Sequence, residues 1–420
     1  MKTTKNRWLI ALSAIAIHLS IGAAYAYSVY TNPIHDTMGW STAGITFAFT
    51  IMMALAGLSA AFFGSFVERN GPRKSAILSA ILFGLGQAGA GVAVAVDSLV
   101  LFLLTYGLAS GLGLGLGYIA PVSTLVKWFP DRRGLATGMA VMGFGAGALI
   151  TAPIAANLMN SIGITTTFYV LGTSYFLLII LGASYIAPPP EGWMPDGMKK
   201  DIASGKKIVK KDLSQLTAKE AVKTRRFWML WTMMLINTSA GIMMISVASP
   251  MAQEVVGLTA AAAATMVGIM GIFNGGGRLA WAAISDYIGR PAIFMIFFIL
   301  QLIAFLMLPN VTNVLLFQAL ILIVVSCYGG GFSNLPAYIG DLFGTKQLGA
   351  IHGYMLTTWS LGGIIGPFLV TQIRAITDSY IPVFYVFTGL IVIASVLSIL
   401  IRLDIKAIEK RHEKQKEGVA

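Results

Sequence analysis

Long apolar runs alternate with short polar punctuation along this chain, and the runs have the length of membrane-crossing helices. Cut at charges, prolines and polar turns, the sequence yields twelve segments: 8–31, 43–67, 75–96, 98–126, 134–158, 165–187, 227–252, 258–285, 291–309, 312–340, 348–373 and 380–403. Each matches the roughly 20 helical residues that cross a hydrocarbon core about 30 Å thick. A helix satisfies its own backbone groups inside lipid, so the pattern predicts an all-α membrane protein. The one long hydrophilic interruption opens with Pro188, Pro189 and Pro190 and carries Lys199, Lys200, Lys206, Lys207, Lys210 and Lys211. It divides the chain into a six-helix half (1–187), a central loop (188–226) and a second six-helix half with a basic tail (227–420).

Composition excludes a soluble protein: 56% of residues are hydrophobic, 11% are charged, and the mean hydropathy is +0.78. The formal charge of +12 reflects topology. With the N-terminus in the cytoplasm, 27 of the 29 Lys and Arg residues fall on the cytoplasmic side, which fits the positive-inside rule and an even number of spans. Both termini are then cytoplasmic, in what reads as a bacterial cytoplasmic membrane. Scattered over loops, these charges do not describe a nucleic-acid surface. The first run follows Lys2, Lys5 and Arg7 and contains Ala24, Tyr25 and Ala26, like a cleavable signal. At over twenty residues it exceeds a secretory apolar region, and it reads as the first span. A single cysteine, Cys327, and four scattered histidines offer no disulfide or metal pattern, and no cofactor is expected. Gly111, Gly113 and Gly115 follow no strand, so they are not a phosphate-binding turn. No nucleophile and base pair points to an enzyme.

Arg278 and Arg374 are the basic residues left outside the cytoplasmic set, and Arg278 lies within the apolar run Leu258–Ile284. The next charge, Asp286, is eight residues on, which puts Arg278 about 12 Å from that boundary at 1.5 Å per residue. No Asp or Glu lies within a long apolar run, so the expected partner of this cation is an anionic ligand. The competing reading is an arginine that snorkels or bonds backbone carbonyls. Asn274 is four residues away on the same helix face, where an amide and a planar guanidinium can share one carboxylate.

The two halves echo each other. Gly64, Glu68, Arg69, Gly71, Arg73 and Lys74 follow the second span, and Asp286, Gly289 and Arg290 follow the eighth. Each set reads as an acid, a glycine turn and a base in a short loop. This paired loop resembles the major facilitator superfamily, whose signature there is Gly-x-x-x-Asp-x-x-Gly-Arg-[Lys/Arg]; Glu68 stands for the usual aspartate. The resemblance covers all twelve segments. It implies two six-helix bundles rocking about a midplane site, with Glu68, Arg69, Arg73, Asp286 and Arg290 forming a cytoplasmic gate.

A narrower resemblance rests on Tyr25, Tyr27, Tyr30, Asn32 and Pro33; on Gly117 and Tyr118 with the run Lys127 to Gly134; on Phe273 to Arg278; and on Tyr328 to Gly330. These segments resemble the oxalate/formate antiporters and the related monocarboxylate transporters. The resemblance implies that Arg278 binds a carboxylate and that Tyr25, Tyr27, Tyr118 and Tyr328 line the cavity. Tyrosine is also common in aromatic belts, so each alone fits ordinary packing. Oxalate-type carriers place a lysine in the eleventh span where this chain has Trp359. One cation suits one carboxylate, so lactate- or pyruvate-like anions are expected, with Trp359, Phe332 and Phe144 as an apolar wall.

With no carboxylate in a span, His18 and His352 are the titratable candidates for proton coupling, and either can instead be a packing residue. The reading is a proton-coupled monocarboxylate transporter whose partners are the anion, the proton and the bilayer, working as a monomer. An obligate anion exchanger is its rival. A transport-inactive carboxylate sensor remains the third alternative.

Overall fold

The computed structural model describes residues 5–204 and 212–417, less the side chains of 42, 201, 202, 260, 261, 264, 412, 413 and 415–417. Lys2, Lys206, Lys207, Lys210 and Lys211 lie outside the described residues. Every regular element among the described residues is helical. In the first half these are α1 (Arg7–Gly22), α2 (Ser28–Met38), α3 (Thr42–Ser79), α4 (Leu85–Ala95), α5 (Leu99–Phe102), α6 (Ser110–Trp128) and α7 (Arg133–Tyr185). The central loop holds α8 (Asp196–Ala203) and α9 (Ala218–Ala221). The second half holds α10 (Arg225–Val256), α11 (Ala260–Ile288), α12 (Arg290–Met307), α13 (Val314–Phe343), α14 (Leu348–Thr377) and α15 (Ile381–Glu417).

Among the described residues nine helical stretches are long and apolar enough to cross a membrane, and two of them, Ala43–Ala95 and Arg133–Tyr185, run for 53 residues. Each of the two contains one residue with non-helical backbone, Gly71 at φ 78° and Gly163 at φ 75°. Positive φ suits glycine and breaks the helix path, so each stretch is two spans joined without a loop. Counting the 29-residue α11, which is not among the nine, as a further span gives the expected twelve. The first span is also subdivided: a 3-10 turn at Ala23–Ala26 separates α1 from α2 and carries Tyr25. Helix α15 runs on past 403 into the basic tail, whose Lys, Arg and Glu residues are good helix formers.

Packing divides the chain into two compact units, Met1–Lys207 with Gly349–Ser360, and Ile208–Leu348 with Leu361–Ala420. In the first unit Ser59 and Ser79 bridge α3 to the glycine-rich face of α6, with Ser79 Oγ donating to Gly113 O at 2.7 Å. Arg7 pairs with Asp131 at 2.7 Å, and Trp128 Nε1 donates to Ala187 O at 2.6 Å. In the second unit the strap 213–218 closes the end of α13. Leu213 and Leu216 N–H donate to Asp341 O and Phe343 O, both at 2.8 Å, and Ser214 Oγ donates to Leu342 O at 2.6 Å. Those carbonyls belong to the last turn of α13 and would otherwise lack partners.

Candidate functional site

The first unit gathers six of the singled-out residues, five of them around Tyr118. His18 on α1 stacks on the Tyr118 ring at 5.0 Å, and its Nε2 lies 3.0 Å from Tyr118 O. Phe144 on α7 stands edge-on to Tyr118 at 5.6 Å and to Tyr25 at 5.1 Å. From α14, Trp359 lies 5.5 Å from Tyr118 and 5.6 Å from Phe144, and His352 lies 5.9 Å from Tyr118. All but Tyr25 are buried. The cluster therefore combines a wall of aromatic faces with two imidazole side chains. Tyr27 is not part of it. Its hydroxyl donates to Ile45 O, and its ring packs on Phe49 and Tyr106.

The second unit holds Arg278, which is 1% exposed. Its Nε donates to Asn274 Oδ1 at 3.3 Å, one helical turn away, and Cζ lies 5.9 Å from the Phe332 ring. Tyr328 meets Phe332 edge-on at 5.4 Å. Gly329 explains why α11 and α13 approach so closely: a Cβ there would sit 2.6 Å from Asn274 Oδ1 and 3.2 Å from Arg278 Cγ. Asn274 on the Nε edge fixes the plane of the guanidinium, and a planar fork of fixed orientation is what bidentate carboxylate recognition requires.

The loop charges separate into two groups. Glu68 Oε2 pairs with Lys127 at 3.1 Å, while Oε1 accepts the N–H of Gly349 at 2.6 Å, in the first turn of α14. An anion at a helix N-terminus meets unpaired N–H groups and the favourable end of the dipole. In the second unit Arg290 reaches Asp286 at 2.6 Å and Asp341 at 3.4 Å. Arg69 and Arg73 are exposed.

Sequence reasoning missed Lys127 and Asp341 as ion partners, because each is distant in the chain from the acid or base that it meets. It also missed Asn237 and Gln301, which are fully buried and joined by a 2.9 Å bond from Gln301 Nε2 to Asn237 Oδ1. An amide inside each of two apolar runs was the available signal.

Comparisons with known proteins agree with this architecture. The oxalate:formate antiporter of Oxalobacter formigenes is 29% identical over 364 residues, covering 86% of this chain and 83% of the relative. Apicoplast pyruvate carrier 1 of Toxoplasma gondii is 25% identical over 392 residues, covering 79% and 69%. Among solved structures, the E. coli fucose:proton symporter shares the fold with a TM-score of 0.70 at 13% identity, covering 94% of this chain and 99% of that one. The family model of the Major Facilitator Superfamily matches residues 11–367, nearly the whole run of spans, and on that match this multi-pass membrane protein belongs to the Major Facilitator Superfamily of transporters.

Proposed function

We propose that the protein carries short monocarboxylates of the lactate or pyruvate type across a bacterial cytoplasmic membrane by alternating access, in symport with a proton. The observation that carries the proposal is Arg278, a cation 1% exposed in the middle of α11, set against Asn274. Burying such a charge is costly unless a ligand or partner compensates it during the cycle. Phe332 and Tyr328 beside it give the apolar surface that a short carboxylate's carbon end needs. Trp359, rather than a second cation, favours a single carboxylate. The names of two relatives, a pyruvate carrier and an oxalate:formate antiporter, place small carboxylates among the substrates of similar chains.

Coupling follows from charge. A monocarboxylate that moves together with one proton crosses the bilayer without net charge transfer, so symport needs a group on the protein or the substrate that carries the proton. His18 and His352 flank Tyr118 and are our candidates for it. The second reading, obligate exchange, is favoured by the antiporter relative. Purified protein in liposomes separates the two. Symport predicts that an acid-outside gradient drives lactate accumulation into vesicles without internal substrate. Uptake that appears only after preloading with a counter-anion refutes symport and establishes exchange. Loss of gradient-driven uptake with surviving exchange on replacing both histidines assigns the proton to them.

A further inference from the structure

We propose that a groove between α10 and α15 is a seat for an anionic glycerophospholipid of the cytoplasmic leaflet, given the proposed orientation. The groove encloses ≈ 670 Å³, within the range of roughly 300–1,000 Å³ usual for small-molecule sites. Its lining changes character along its length. Leu397 and Leu400 line the part toward the bilayer core, and Lys223 and Arg225 stand at the other end, both exposed. Trp228, half-exposed, lies at the transition and donates its indole N–H to Val222 O at 2.9 Å, the arrangement of a side chain at the headgroup level.

Charge in the groove favours a phosphate. Asp404 is its one acidic lining residue, and Arg226, 8% exposed, sets its Nε 3.7 Å from Asp404 Oδ2. Nearby Glu220 is a second carboxylate: the N–H and the hydroxyl of Thr217 bond it at 2.8 Å and 2.7 Å and hold it below the usual carboxylate range, with the charges of Lys346 and Lys223 acting in the same direction. Lys223, Arg225 and Arg226 together outnumber Asp404 and Glu220, which leaves a positive surplus at the boundary where the apolar run of α15 ends. A lipid phosphate would sit between Lys223 and Arg225, with one acyl chain along Leu397 and Leu400. An apolar peptide would leave that surplus without a counterpart. Basic pockets between spans on the cytoplasmic side suit anionic headgroups, each cation contributing on the order of 1 kcal/mol.

Native mass spectrometry of the full-length protein in mixed phosphatidylglycerol and phosphatidylcholine micelles tests the proposal. The unmodified protein should retain phosphatidylglycerol preferentially. Lys223→Ala with Arg225→Ala should lower that preference ~30-fold, the effect of two such charges. Lys223→Arg with Arg225→Lys should keep it, which separates lost binding from lost folding. Lys406→Ala with Lys410→Ala, on α15 and not among the groove's lining residues, should also keep it. No preference in the unmodified protein, an undiminished preference in the double alanine variant, or an equal loss in the Lys406 and Lys410 variant would overturn the seat. Displacement of the preference by inorganic phosphate would assign the site to a free anion instead.

Discussion

Replacing Glu68 by glutamine should loosen the first turns of α14 from α3, and the size of the effect can be worked from two contacts. The carboxylate accepts the Gly349 N–H at 2.6 Å and pairs with Lys127 at 3.1 Å. A hydrogen bond to a charged group contributes about 1.5–3 kcal/mol, and an amide oxygen retains roughly 1 kcal/mol of it. The ion pair adds at most about 1 kcal/mol, since both side chains keep some solvent contact, 27% for Lys127 and 16% for Glu68. A net loss of about 1–2 kcal/mol raises the open population roughly 5- to 30-fold. Ser360 offers the readout, because its hydroxyl donates to Ala54 O on α3 at 2.6 Å. The single native cysteine, Cys327, is buried, so a Ser360→Cys chain has little background labelling. Maleimide labelling at position 360 should speed up in the Glu68→Gln background by that factor. A rate changed by less than about twofold would refute the argument that this carboxylate holds α14 down.

Three further outcomes are expected. Gly329→Ala should force α13 from α11, costing roughly 1–3 kcal/mol as overpacking, and weaken substrate binding more than it lowers thermal stability; isothermal titration beside a melting curve checks this. Trp359→Lys should place a cation in the aromatic cluster around Tyr118 and shift competition in uptake assays toward oxalate; lactate preference unchanged by the variant would contradict the one-cation account of selectivity. Gly71→Ala should lower the melting temperature, because φ 78° strains any residue with a Cβ by about 1 kcal/mol, with no loss of substrate affinity.

The fold was legible because hydrophobic length and charge sidedness are local properties. The places that were harder to read have physical causes. Gly71 lies inside a charged loop signature, which gave its break away, whereas Gly163 follows uncharged Asn160, Ser161 and Ile162 and joins two apolar runs with little punctuation. At the candidate site, Tyr25 and Tyr118 are residues that family resemblance marks, Trp359 is a departure from the family pattern and Phe144 is expected with it as an apolar wall, and the structure draws all four together with His18 and His352. Tyr27 shares a motif with Tyr25, yet the 3-10 turn between α1 and α2 sends the two rings to different neighbours. The contact between Glu68 and Gly349 spans 281 residues of chain, and no local pattern encodes such a pairing.

The central claim is that Arg278 holds the carboxylate of the substrate, and equilibrium binding of labelled pyruvate to purified Arg278→Lys protein tests it most directly. Lysine keeps the charge and loses the planar fork. The account predicts a fall in affinity of roughly 10- to 150-fold, the 1.5–3 kcal/mol of a charge-assisted bond, with a melting temperature close to that of the unmodified protein. Pyruvate binding at unmodified affinity in that variant would contradict the account and move the anion site elsewhere in the molecule.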